Sequence, residues 1–390
     1  MSEQGLDRAG TVLRWADEPG PPGVRRAVMT NGERSWELWF RSEQGPLADG
    51  IEPLLPAALL AAMKLGGSLT LPGPVSPRLL RSLSTIQDIF HCWWPELSKI
   101  TIQAAPHSSV SVHDGRGVGA MFTGGVDSFY TLLKHRDDVT HVIYVHGFDV
   151  PLENLDLRRR VSTTVRSVAA ELGKQVIEVE TNFRAMSDPF VSWMSYFGSA
   201  LASVALLLAP QLRRVYIPSS NTYAQLYPVG AHPLLDPLWS TEWVDIVHDG
   251  CEASRMEKVS ALSKSDVALR FLRVCWENRD GAYNCGRCEK CLRTMVSLRI
   301  ARALDRCGTF SRPLDLSMIA SLDIPNEHVR AIWEDSLREL QRQGHDPALA
   351  HAIQTSLDRR PSRGRRDLLH RLLDRALDAL QPASSRRPTP

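Results

Sequence analysis

Two stretches of this chain carry residues whose types and spacing could do chemistry. The first is Thr123-Gly124-Gly125-Val126-Asp127-Ser128, set between the apolar run GVGAMF and the amphipathic run FYTLLKHR. Glycines at a strand end let the backbone approach an anion, and the helix N-terminus that follows offers unpaired N–H groups and the positive end of its dipole. Thr123 and Ser128 add hydroxyls, and Asp127 could hold a metal-bound phosphate or cap the helix; the bland alternative is a capped turn with glycines for geometry. The second stretch is CWENRDGAYNCGRCEKC, a C-x9-C-x2-C-x2-C pattern formed by Cys275, Cys285, Cys288 and Cys291. Two-residue spacing lets neighbouring thiolates converge on one ion, and a fourth ligand from further back closes a tetrahedron. Four ligands without an open position point to structural zinc. The competing readings are an iron–sulfur cluster and buried free cysteines, but the ferredoxin run continues x3-C-P, whereas Leu292-Arg293-Thr294-Met295 follows here.

No G-x-x-x-x-G-K-[ST] run exists, and the glycines at 115, 117 and 119 do not follow the strand but run into Ala120, so neither a Walker A loop nor a dinucleotide fingerprint is present. Thr123–Ser128 instead resembles the S-G-G-x-D-S signature of the PP-loop, or N-type, ATP pyrophosphatase superfamily, with Thr for the first Ser. The resemblance implies cleavage of ATP between its α and β phosphates and transfer of AMP to a substrate oxygen, with Mg²⁺ beside the phosphates. It also implies that Thr123, Gly124, Gly125, Val126, Asp127 and Ser128 bind the nucleotide, with Asp127 and Ser128 catalytic. Lys264, in SALSKSDVALRFL, stands where the family has a K-x-[DE] before a helix and is the expected cation. Taken alone, a lysine there is a solvated helix-start residue.

Loop, K-x-[DE] and cysteine cluster together resemble the 7-cyano-7-deazaguanine synthase (QueC) family over residues 118–300 or so. In that family a carboxylate on a deazapurine is adenylated, ammonia displaces AMP, and a second ATP-dependent round dehydrates the amide to a nitrile. The chain departs from the family after the fourth strand, where Tyr227-Pro228 is followed by Val229-Gly230 rather than Asp-Cys. Asn221, His232 and Asp236 are the polar residues of this loop and the expected substrate contacts; as the alternative, His232-Pro233 and Asp236-Pro237 shape a turn. Glu180, Asn182 and Arg184 occupy a comparable rim.

These residues need a scaffold. GVGAMF, HVIYVHG, QVIEVET and RRVYIP read as strands separated by helical stretches, the pattern of a parallel sheet with crossover helices. The expected fold class is thus α/β: a Rossmann-like PP-loop (adenine nucleotide alpha hydrolase-like) domain with a zinc-binding element over 115–305, an N-terminal α+β domain over 23–105 and a C-terminal helical extension over 306–390. Residues 1–22 read as a mobile arm, 104–117 as a linker, and Trp93 and Trp94 as core filler. The hairpin RAVMT–NGE–SWELWF, a helix over 54–65, and strands SLTL and KITIQ belong to the N-terminal domain.

The length of 390 residues suggests about two to three domains. Lys and Arg number 46 against 44 acidic residues, which excludes a global electrostatic case for nucleic acid, although residues 351–390 hold nine Arg against four Asp. Seven cysteines are too few for a disulfide scaffold and cluster instead, as a metal site in a reducing compartment would. No signal segment opens the chain, and Ala200–Ala209 is about half of a ~20-residue membrane span, so a cytoplasmic protein without membrane contact is expected. The expected ligands are ATP, Mg²⁺, Zn²⁺ and a small-molecule carboxylate, and a homo-oligomer is expected. The other readings are sulfur insertion into RNA or a small molecule, a binding module using the basic Arg359–Arg366 run, and catalysis on a protein substrate.

Overall fold

Residues 9–16, 21–109, 116–324 and 326–359 are described by the computed structural model of the chain. They fall into two units, Met1–Arg312 and Pro313–Pro390. The first is a mixed α/β unit around a large, mostly parallel sheet of ten strands: β1 (Thr11–Trp15), β2 (Val24–Asn31), β3 (Arg34–Arg41), β4 (Ser68–Val75), β5 (Thr101–Pro106), β6 (Gly117–Met121), β7 (His141–His146), β8 (Gln175–Thr181), β9 (Leu212–Pro218) and β10 (Asp245–Asp249). Its helices are α1 (Leu54–Leu65), α2 (Pro77–Trp93), α3 (Val126–Lys134), α4 (Leu155–Leu172), α5 (Phe183–Ser187), α6 (Trp193–Leu207), α7 (Arg255–Leu262), α8 (Asp266–Phe271) and α9 (Glu289–Ile300).

The strand order is β10-β9-β6-β7-β8-β3-β2-β1-β4-β5. From β10 to β8 every pairing is parallel, and the central strands β6 and β7 are buried on both faces, as a sheet covered by crossover helices requires. In β7, Val142 and Tyr144 enter the core with α3, α4 and α7, while Ile143 and Val145 enter the core with α1, α5 and α6. The period-2 alternation thus supplies two cores from one strand. The apolar run expected to be too short for a membrane is α6, whose Tyr196 hydroxyl donates to the Ala57 carbonyl at 2.6 Å and whose Ser203 hydroxyl donates to that of Pro53 at 2.6 Å. Helices α1 and α6 are buried nearly all round, which explains their uniform apolarity. No helix among the described residues is long and apolar enough to cross a membrane.

The hairpin and the strands and helices expected over 23–105 are present, but their separation from the rest is corrected. β3 pairs antiparallel with β8, Phe40 opposite Thr181 and Arg41 opposite Glu180, so one sheet runs through both halves. The expected mobile arm is corrected as well: Thr11–Trp15 is a strand between β2 and β4, because Thr11 and Leu13 point into the core and are fully buried. Residues 1–8, 17–20 and the expected linker's 110–115 lie outside the described residues, and Ala104–Pro106 complete β5. Trp93 and Trp94 are half-buried against the core.

The second unit holds α10 (Leu316–Ala320), α11 (Glu327–Gln343) and α12 (Pro347–Asp358), packed around Ile319, Trp333, Leu340, Leu349 and Ile353. The helical character expected for this region agrees with these elements; the arginine-rich segment beyond Arg359 lies outside the described residues.

Candidate functional site

Chain order reverses at β6: β7 and β8 follow on one side, β9 and β10 on the other. Open parallel sheets bind ligands in the crevice at the carboxyl ends of such strands. Here the turn after β6 and the segment after β9 flank a cavity of about 220 Å³. Gly124 adopts φ +75°, a left-handed conformation natural to glycine, and its carbonyl accepts a hydrogen bond from the Arg273 N–H at 2.8 Å. Gly125 precedes the first turn of α3 and has no side chain to cap it, leaving that helix end's N–H groups open to another acceptor. Thr123, Gly125, Val126, Asp127 and Ser128 line the cavity. Ser128 is committed to the loop itself: its hydroxyl donates to the Gly125 carbonyl at 3.1 Å and accepts from the Thr123 N–H at 3.4 Å.

Asp127 is surrounded by cations. Arg255 donates to one carboxylate oxygen at 3.3 Å, Lys258 to the other at 3.3 Å, and the Ser220 hydroxyl at 3.1 Å. Burial opposes the charge, but Arg255, Lys258, Lys290 and the Ser220 hydrogen bond outweigh it and hold the carboxyl below its ordinary value. Arg255, Arg273 and Lys290 line the cavity, with Asp149 as a further acid. The Nε atoms of Arg255 and Arg273 are buried without a partner, an incomplete arrangement that an anionic ligand would complete. Phe148, Trp193, Phe197 and Leu201 add an apolar, aromatic part to the lining. Cationic and aromatic groups in one cavity suit a ligand with a charged group and a planar ring.

The expected cation, Lys264, is not brought here; it lies exposed between α7 and α8 and does not line the cavity. Other cations, which sequence reasoning missed, stand beside Asp127. Ser254 and Glu257 form a capping box that starts α7 directly after β10, and Arg255 and Lys258, at i and i+3, then share the face turned to Asp127. Lys258 is almost wholly buried, donates to the Ser219 carbonyl at 2.6 Å and lies over the Tyr130 ring. The signal was in the sequence as Ser254-x-x-Glu257, a helix-start pattern that fixes which cations face the loop.

The expected substrate residues are placed elsewhere in part. Asn221 follows the cavity-lining Ser220 and is buried, with its Oδ1 unpaired, but it does not itself line the cavity. His232 and Asp236 are structural. His232 packs edge-on against Trp93 and accepts from the Leu234 N–H, while Asp236 accepts from the His232 N–H and from His248 at 2.7 Å. The two prolines fold this segment back on itself, so the turn reading prevails over the substrate reading. Burial opposes a charged His248, yet the hydrogen bonds to Asp236 and Cys251 prevail and push its pKa up to about 9. Glu180, Asn182 and Arg184 serve the fold: Glu180 binds Arg41 and Arg158, Asn182 receives the Trp39 N–H, and Arg184 pairs with Asp188 and covers Trp193.

All four cysteines of the cluster are buried, and their sulfurs lie within 4.8 Å of one another. Cys275 and Cys288 are 4.0 Å apart and Cys285 and Cys291 3.9 Å. A tetrahedron with ~2.3 Å metal–sulfur bonds has edges of about 3.8 Å, so this spacing is compatible with one zinc ion. A [4Fe–4S] cluster binds each cysteine sulfur to a different iron and a [2Fe–2S] cluster binds two to each of its two irons, so either needs some of the four sulfurs further apart. The Cys288 N–H points to the Cys285 sulfur at 3.3 Å, as the two-residue spacing predicts. Asn284 closes the element: its Oδ1 accepts from the Val274 and Cys275 N–H groups, and its Nδ2 donates to the Leu272 carbonyl. Cys275 itself lines the cavity, so the four-cysteine element forms part of its wall. The chain matches no family model, no curated protein and no solved structure.

Proposed function

We propose that this chain is a QueC-like, ATP-dependent, AMP-forming enzyme of the PP-loop type, built on a Rossmann-like sheet, that adenylates a carboxylate for attack by ammonia. The observation that carries it is the Gly124–Gly125 turn at the sheet's switch point, opening on a cavity where Arg255 and Arg273 hold buried, unpartnered Nε atoms. ATP would bring the adenylyl group and the pyrophosphate leaving group, with Mg²⁺ offsetting the phosphates' charge. Arg255, Arg273 and Lys290 meet negative charge that builds on the phosphates. Asp127, kept ionised by its neighbours, is the group able to hold a divalent cation there. The loop's open N–H groups receive the leaving pyrophosphate. Phe148, Trp193 and Phe197 offer the flat surface on which a ring can stack.

Zinc in the four-cysteine element has the structural part: four thiolates fill its tetrahedral positions and leave none for catalysis. Lys290 lies between the ligands Cys288 and Cys291 and Arg293 just after them, so the ion would hold the start of α9 against the cavity. Sulfur insertion is disfavoured because the remaining thiol near the site, Cys251, is 2% exposed and does not line the cavity. Carboxylate-dependent exchange of labelled pyrophosphate into ATP tests the proposal. Exchange that requires one carboxylate from a panel and vanishes in Asp127→Asn is expected; its absence with every carboxylate contradicts adenylation.

A further inference from the structure

The four-cysteine element and the glycine loop are joined by two separate connections. Arg273, two residues before Cys275, gives its backbone N–H to the Gly124 carbonyl at 2.8 Å. Thr294, three residues after Cys291, accepts from Arg255 at 3.0 Å, and the same guanidinium donates to Asp127 at 3.3 Å. Between the ligands Cys288 and Cys291, Lys290 forms part of the cavity wall. Thr294 is fully buried, and its hydroxyl also donates to the Lys290 carbonyl at 2.7 Å, so it cannot turn away from Arg255 without losing that bond.

We propose that metal binding at Cys275, Cys285, Cys288 and Cys291 and nucleotide binding in the cavity are coupled, with Arg273 N–H to Gly124 and Thr294–Arg255–Asp127 as the links. The inference rests on the nucleotide reading of the cavity. An ion that draws four thiolates together fixes segment 273–275 against the start of α9. That geometry places the Gly124 carbonyl and the Arg255 guanidinium, and errors of about an ångström in such groups weaken binding and catalysis severely. Linkage makes the effect reciprocal: a nucleotide that favours the placed loop and Arg255 also retains the metal. Thr294 is a positioning residue, since it acts through Arg255.

The experiment equilibrates the full-length, zinc-loaded protein with a chromogenic chelator of known zinc affinity and measures the zinc retained with and without saturating MgATP, with nucleotide occupancy measured by equilibrium dialysis. MgATP is expected to tighten zinc binding about fivefold or more. Thr294→Val keeps all four thiols and every loop residue; it is expected to retain one zinc per chain while the MgATP effect falls below about twofold. Equal zinc affinities with MgATP bound overturn the coupling and leave the nucleotide reading standing, whereas no MgATP bound overturns both. A full MgATP effect in a folded Thr294→Val overturns the assigned route through Arg255. Should that variant not fold, the wild-type comparison decides the coupling by itself.

Discussion

Asp127 and its cations set the chemistry at the scale of single residues. A carboxylate facing Arg255 and Lys258 stays charged, and replacing it removes the charge that pairs with both. Asp127→Asn is expected to lower AMP formation by about 10²-fold or more with an unchanged far-UV spectrum. Lys258 and Lys264 separate the structure's assignment from the motif's. Lys258→Ala should cost on the order of 10-fold or more in AMP formation, while Lys264→Ala should leave it within about twofold, since Lys264 is exposed and outside the cavity. His248 gives a pH signature. Its folded pKa of about 9 lies above the ~6.5 of an unfolded histidine, so its stabilisation is fully present below ~6.5 and is lost as pH rises through about 9. Its buried surroundings are Asp236, Cys251 and His232. Denaturant titrations of the wild type between pH 7 and 10 should therefore show a loss of up to about 3 kcal/mol that His248→Gln lacks; profiles of equal slope would contradict the pairing.

At the scale of elements, the glycine loop and the cysteine element were legible because each is a local pattern: strand, Gly124-Gly125 and helix in one case, thiols at two-residue spacing in the other. The hairpin, α1 and the strands β6 to β9 were legible for the same reason. α7 carried its capping box in plain view, yet the family-like K-x-[DE] drew the cation to Lys264, past the helix end. Strands β1 and β10 escaped notice because TVLRW and DIVHD are short, and β10, at the sheet edge, carries Asp245, His248 and Asp249 among its five residues. Asp236 and His232 were polar residues in the right loop but the wrong direction, a matter of three-dimensional folding that proline spacing only hints at. In the cysteine element, Cys288→Ser removes one of four ligands from a buried site. Zinc content should fall well below one per chain and Tm should drop by about 5 °C or more; unchanged zinc and Tm would refute the metal assignment.

The whole first unit hangs on one sheet, and nothing local announces the seam where β3 meets β8. Trp39 and Asn182, joined across it at 2.8 Å, are 143 residues apart in sequence. Phe40 is fully buried at that seam, 6.5 Å from the Phe183 ring centre. Phe40→Ala should cost about 3–5 kcal/mol and shift a single transition shared by both halves of the unit; two separate transitions, with only one displaced, would contradict the continuous sheet. The continuity also explains how the N-terminal strands bear on the site: they complete the sheet whose other end carries the β6 and β9 loops. The central claim, that those loops hold ATP for adenylation, is tested most directly by identifying the nucleotide product when the protein is incubated with MgATP, ammonia and a panel of carboxylates that includes carboxy-deazaguanine. AMP and pyrophosphate formed only with one carboxylate is the predicted result; ADP, or no turnover with any of them, would contradict it.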